Sequence, residues 1–401
     1  MTKYQKQDIS LTAAQQLPLP NFPKVKYASW HLDQLMPVQK AISNAHFLTA
    51  EDVGIEILGT QAGHQYLPQE LINAGVLVMS IQAAKKDYPQ LVQRYLSSVI
   101  PADQDRLSAQ NLLQYNAGIF VYIPDNVVIQ SLLQLVLVQN ATTTGDAVQR
   151  ILIYVGKNAQ CTILQQLRTM GEATIKSSTV IEVFLDAGAN VQYSAIDALS
   201  ANTSGYLNRS ALLADNAQLN WAQAEFNRGN MVMHLDTMLS GQGAQTHANV
   251  MAMVSQKQVQ GINTRVSNRG RHTIGHILQR GVILDHAALV FNGVGNIIKG
   301  AKGADAQQES RILMLSKKAR GDANPLLLID ESDVTAGHAA SVGRMNAAQL
   351  YYLMSRGLCE KVARRLVIRG FMGPILAQIP HQVVRESIIE DIERQLKDAH
   401  Q

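Results

Sequence analysis

Asn126-Val127-Val128-Ile129, Asn158-Ala159-Gln160-Cys161, Asn190-Val191-Gln192-Tyr193 and Asn216-Ala217-Gln218-Leu219 share one frame, in which an asparagine leads into a short run. Gly243-Ala244-Gln245-Thr246 nearly fits it, and His286-Ala287-Ala288-Leu289 is a weaker sixth member. The intervals are 32, 32, 26, 27 and 43 residues. A turn recurring at this spacing is the mark of a solenoid. Between the turns lie runs such as Ile151-Leu152-Ile153-Tyr154-Val155 and Val180-Ile181-Glu182-Val183-Phe184-Leu185, with no helix between them. That favours a parallel β-helix over helix-containing repeat arrays, while a β-sandwich shares the bare pattern. Asparagine recurs for a physical reason: it tolerates φ > 0, and its amide can bond to a copy one coil away, at about 4.8 Å. Asn158, Asn190 and Asn216 are therefore expected in a row down one edge.

Outward from this core the period changes. Residues 1–110 read as mostly helical and irregular, with Pro18, Pro20 and Pro23 in an extended lead-in and helical spacing over 69–96. The strand pattern fills residues 111–345. Residues 346–401 are helical again: Asn346 and Gln349 form a capping-box pattern, Leu350, Leu353, Met354 and Leu358 form a stripe, and Gly357 is a helix stop. After Pro374 and Pro380, Val384, Ile388, Ile392 and Leu396 recur every four residues. The expected fold is mainly β, a right-handed parallel β-helix core flanked by N-terminal and C-terminal helical regions. A helical appendage on a solenoid either caps it or carries a partner.

Composition narrows the function. The 401 residues hold 35 Lys and Arg against 31 Asp and Glu, a net charge of +4, too dilute for a nucleic-acid footprint. Apolar residues reach 46%, which excludes a disordered chain. Two cysteines, Cys161 and Cys359, exclude a disulfide scaffold and a Cys-built zinc site. The start, with Lys3, Lys6 and Asp8, has no apolar segment behind its charges, and no run of 18 apolar residues occurs, so the chain is expected to be cytoplasmic, with no membrane contact.

Enzyme motifs are sparse. In residues 295–302, Gly300-Ala301-Lys302 replaces the adjacent Gly-Lys that a phosphate loop needs. His272 and His276 would share a face on a helix, but their neighbours favour a strand, along which four residues span about 13 Å. A solenoid hydrolase acting on carbohydrate would need clustered carboxylates. Asp125, Asp186, Asp215 and Asp285 all fall in or beside the repeated turn, where side chain to backbone bonds explain them without chemistry.

The most specific stretch is Leu326-Leu327-Leu328-Ile329, then Asp330, Glu331 and Asp333, then Thr335-Ala336-Gly337-His338 and Ser341-Val342-Gly343-Arg344. With Tyr352 and Ser355-Arg356-Gly357 after it, and Asp285, Phe291, Gly293 and Ala304-Asp305-Ala306-Gln307 before it, this segment resembles the SufB/SufD family of iron–sulfur cluster assembly proteins, its D-type members in particular. The resemblance is dense over residues 283–372 and thin over the first 110.

The resemblance implies a non-enzymatic scaffold subunit, working with a B-type paralogue and an ABC-type ATPase, the C subunit. A cysteine desulfurase would supply sulfur indirectly, and a homodimer is open to the isolated chain. The histidine matching His338 would help to hold a nascent iron–sulfur cluster where the end of the β-helix meets the paralogue; neutral imidazole is a competent iron ligand. Some members carry a cysteine where this chain has Ala336, so thiolates would come from the partner and no cluster would be held stably by this chain alone. The C-terminal helices would dock the ATPase, with Tyr352, Ser355, Arg356, Gly357 and Arg364 as candidate contacts. A B-type scaffold of the same family is the neighbouring alternative, disfavoured by the scarcity of cysteine.

Overall fold

Seven residues with positive φ follow one another along the chain at steps of 27 to 32 residues: Asn126, Asn158, Gly188, Asn216, Gly243, His272 and Gly303. Their backbone N–H groups stitch each coil to the next. Asn126 donates to the Lys157 carbonyl, Asn158 to Ala187, Gly188 to Asp215, and so on to Gly303, which donates to Asp333 at 2.7 Å. The residue after five of these corners is an inward-pointing alanine, at Ala159, Ala189, Ala217, Ala244 and Ala304, all at most 1% exposed. This is the corner of a parallel β-solenoid in a computed structural model that describes residues 9–42 and 45–398. Residues 1–8, on which the expectation of no signal peptide rests, lie outside the described residues.

Two members of the repeated frame are displaced from the expected row. Asn190 begins the strand Asn190–Ala198, and Gly188 takes the corner, because glycine adopts φ +71 without strain. A Cβ on Gly188 would lie 2.3 Å from Asn158 Oδ1. Asn158 in turn donates from Nδ2 to Asn126 Oδ1 at 3.2 Å, a short amide ladder of the kind that the spacing suggests. The frame at His286 belongs to another corner: its N–H meets the Gln256 carbonyl, and Gln256 and Asp285 are the positive-φ residues there. The interval of 43 residues therefore crosses from one corner to the other.

From Ala117–Ile123 onward, successive strands alternate between a nine-stranded and a ten-stranded sheet. Pairing between coils is parallel from the strand Val128–Ala141 to the last strands, Arg320–Ile329 and Val334–Arg344. The space between the sheets is apolar, with Leu135, Ile163, Tyr193, Trp221, Val250 and Phe291 among its fully buried members. One buried cation interrupts it: Arg209 bonds Asp197 at 2.7 Å, Glu225 at 3.2 Å and Gln165 at 2.6 Å.

The first region is less helical than expected. Gly54–Leu58 is a fully buried strand that joins the ten-stranded sheet beside residues 134–138, and Gln61–Tyr66 folds back on it antiparallel. Within 69–96, Gly75 at φ +83 turns the chain after the helix Gln69–Asn73, and Leu77–Ser80 becomes a strand antiparallel to Ala117–Ile123. Helices resume at Ile81–Asp87 and Pro89–Tyr95.

The flanking regions cover the two outer faces. Phe22, Val25, Tyr27, Leu32 and Leu107 pack on Val180, Tyr206 and Val232 of the nine-stranded sheet. The helix Glu360–Leu376, which runs on through Pro374, and the helix Gln382–Asp398 pack on the ten-stranded sheet. Val384, Ile388, Ile392 and Leu396 meet Ile196, Ala224, Met251 and Val282 there. The appendage lies along the side of the solenoid, so it leaves the far end uncapped.

Candidate functional site

At that far end the strands Arg320–Ile329 and Val334–Arg344 each pair on one side only. Along strands of ten and eleven residues, the backbone groups of every second residue are left at an open edge, which is a template for a further strand. Leu326, Leu328, Ile329 and Val342 are 41–49% exposed beside it. Monomeric proteins usually blunt such an edge with charge or proline; here Pro325 alone removes a donor from the longer apolar stretch.

His338 sits on this edge, and register gives it a specific address. Pairing carries one inward-facing column through Tyr193, Trp221, Ala248, Ile277, Gln308 and then His338. The first three are fully buried and His338 is exposed, because no coil lies beyond it. Its imidazole therefore belongs to the interior face at the mouth of the solenoid. Ala336 and Val342 share that face, and Gly337 points the other way. The acidic run before it is structural in part: Glu331 accepts from the Gly300 and Ser332 amides at 3.1 and 2.9 Å, which lower its carboxyl to about 2. Gly300, the glycine of the phosphate-loop lookalike, thus has its N–H committed to a carboxylate of this chain.

The carboxylates of the hydrolase alternative are likewise corner residues. Asp125, Asp215 and Asp285 accept from the backbone of Lys157, Gln242 and Gln256, and Asp186 accepts from Ala187 and from the Tyr154 hydroxyl.

The second surface follows the last strand. Asn346 caps the helix Ala347–Ser355 by accepting from Ala348 and Gln349, and Gly357 at φ +93 ends it. No residue of this helix is buried. Tyr351 is 74% and Tyr352 56% exposed, and Met354, Val362 and Leu366 extend the apolar area onto the next helix. Arg356 lies over the Tyr352 ring at 5.2 Å, the Ser355 hydroxyl donates to the Tyr352 carbonyl, and Arg364 pairs with Glu360. Tyr352, Ser355, Arg356 and Gly357 thus stand together at the end of this helix, while Arg364 lies on the next helix with Val362 and Leu366; the apolar stripe was legible, but its exposure was not. Cys359 is exposed at the start of the helix Glu360–Leu376, whereas Cys161 is buried and its thiol pushed up to about 12. Among the described residues no group of three His, Cys, Asp or Glu side chains forms a metal site. No described helix is long and apolar enough to cross a membrane.

Two family models match the regions described above. Residues 137–371 match the SUF system FeS cluster assembly SufBD core domain, and residues 59–135 match the SufBD protein N-terminal region. The chain belongs to the SufB/SufD family. Over 97% of its length it is 34% identical to the iron–sulfur cluster assembly protein SufD of Bacillus subtilis, 92% of which is covered. SufBD family proteins of Staphylococcus saprophyticus and Staphylococcus epidermidis are each 24% identical over 80% of the chain and 69% of their own length. Within the SufB/SufD family the likeness is to the D type. The core-domain match runs from the solenoid through the open edge and the exposed helix pair, and it stops within the helix Glu360–Leu376.

Proposed function

We propose that this SufB/SufD-family chain is a non-catalytic scaffold subunit on which an iron–sulfur cluster is built at a shared interface. The observation that carries the reading is the position of His338, last in an interior column and at the mouth of an uncapped solenoid. A B-type paralogue meets the open edge formed by Arg320–Ile329 and Val334–Arg344. It brings thiolates within reach of the imidazole, since neither cysteine of this chain lies on that strand. Neutral histidine supplies one nitrogen ligand to iron, and the cluster stays transient because the strand Val334–Arg344 holds no cysteine, carboxylate or second histidine.

The exposed helix pair accepts an ABC-type ATPase. Tyr352, Met354, Val362 and Leu366 form the apolar centre, with Arg356 and Arg364 at its rim. Nucleotide-driven movement of the ATPase would then be transmitted through Asn346 to the last strand, which ends at Arg344 with only Met345 between them. Sulfur reaches the complex from a cysteine desulfurase, and the compartment is the cytoplasm.

Co-expression of the tagged chain with a B-type paralogue and an ABC-type ATPase tests the reading. Both are expected to copurify, and the complex should accumulate iron and acid-labile sulfide. Recovery of the chain without either partner would overturn it.

A further inference from the structure

His276, four residues from His272 in sequence, has its spatial neighbour one coil away. His272 occupies a corner at φ +55, whereas His276 lies in the strand Ile274–Ile283, in register beside His247 of the strand Gln245–Val254. The two imidazole rings have centres 5.2 Å apart and planes at 79°. His276 Nε2 lies 2.9 Å from Asp305 Oδ2, and Gln307 donates to the other carboxylate oxygen at 3.0 Å. All of these groups sit on the outer face of the ten-stranded sheet, half-buried, on the early residues of their strands. The C-terminal helices pack on the later residues, such as Met251 and Val282.

We propose that His247 and His276 bind one divalent first-row transition-metal ion on this face. Two imidazoles on one tetrahedral ion have ring centres roughly 5 Å apart when each metal–nitrogen bond is about 2.0–2.1 Å, so the side chains stand at chelating separation. Asp305 fixes the tautomer and rotation of His276 through Nε2, the carboxylate–histidine arrangement found behind metal-bound imidazoles, and Gln307 fixes Asp305 in turn. The parallel register sets the pair: each imidazole comes from the third position of its strand, and a rigid ladder separates their backbones by one inter-strand step. Because the described residues hold no three-residue metal cluster, the ion keeps coordination positions for water or for ligands from another molecule. Such a site exchanges its metal readily, unlike a closed structural site. Imidazole ligation suits iron, cobalt, nickel, copper and zinc, and magnesium and calcium are excluded by the absence of an oxygen cage.

The test is titration of the isolated full-length chain with Co(II) alone, followed by visible absorption, and with Zn(II) in competition with a chromophoric chelator. One equivalent is expected to bind. His247→Ala and His276→Ala should each weaken binding at least tenfold, and Asp305→Asn by about tenfold or more. His272→Ala and His338→Ala should bind as the parent does. Thermal unfolding without metal shows that each variant is folded. Failure of the parent to bind, or parent-like binding by both His247→Ala and His276→Ala, overturns the proposal. So does equal loss in His272→Ala. Partner capture is not the readout, so failure here is distinct from failure of the scaffold reading.

Discussion

His338 lies directly beyond Gln308, in register on the same inward face, at the last rung of the ladder. Gln308 Nε2 is spent on the Leu326 carbonyl at 3.0 Å, tying the last interior rung of one sheet to the final strand of the other. The imidazole is therefore presented by a fixed frame. His338→Ala should leave the fold and the recovery of both partners unchanged, while iron and sulfide per complex fall several-fold. Elemental analysis normalised to complex yield decides it. Loss of yield and cluster in equal proportion would make His338 an interface contact only.

The open edge should be separable from the helix pair. Leu328→Asp with Val342→Asp places charge on an exposed apolar edge and should weaken paralogue capture at least tenfold. ATPase capture and melting temperature should barely change, since both positions are already solvent-exposed. Parallel pull-downs with each partner alone read the difference.

The converse holds at the helices. Tyr352→Ala and Leu366→Ala should each cost about 1–2 kcal/mol of ATPase affinity, roughly a tenfold loss, and leave paralogue capture intact. Deletion of residues 346–401 is a poor substitute. It would strip Val384, Ile388 and Ile392 from the sheet face they cover and expose the apolar residues beneath.

Corner chemistry predicts a contrast in urea unfolding. Asn158→Gly preserves φ > 0 and should shift stability by only a few tenths of a kcal/mol. Asn158→Val forces a β-branched residue to φ +55 and should cost about 1–3 kcal/mol. Gly188→Ala should fall in the same range, because its Cβ would meet Asn158 Oδ1.

Stability should also fall on acidification through His234. Burial and the nearby Arg265 lower its imidazole to about 4, and the Phe22 ring packs on it, tilted by 37° with centres 4.4 Å apart. The neutral ring is favoured in the fold, so its contribution is complete above the ordinary pKa of about 6.5 and is lost as pH falls towards 4. The full shift corresponds to at most about 3 kcal/mol. Asp236, raised to about 6 by burial, titrates in the opposite sense over an overlapping range. The difference between parent and His234→Gln unfolding curves at pH 7 and pH 5 isolates the histidine.

Much of this was legible in the residues because a solenoid repeats its solutions. The Asn-Ala and Gly-Ala corners announced the coil, and the apolar period announced the docked helices. Two readings failed for one reason: glycine and asparagine solve the same corner problem, so Asn190 drew attention that belonged to Gly188, and the frame at His286 came from a different corner. The strands Gly54–Leu58 and Leu77–Ser80 were hidden by their brevity, since a buried run of four or five apolar residues fits either period. His338 is singled out by motif order. Its column, and the pairing of His276 with His247, depend on register between residues some thirty positions apart, which spacing along the chain does not display.

The two ends of the solenoid are not alike, and this limits how many chains can join. The near end finishes in the antiparallel strands Gln61–Tyr66 and Leu77–Ser80, six and four residues long, which break the parallel progression. The far end presents ten- and eleven-residue strands with their outer sides free. Far end can join far end, but such a union uses up both growing faces at once. Head-to-tail stacking into a fibre, the standing hazard of an exposed β-edge, would have to continue on short antiparallel strands that do not match the far end in length or direction, which disfavours growth beyond two solenoids.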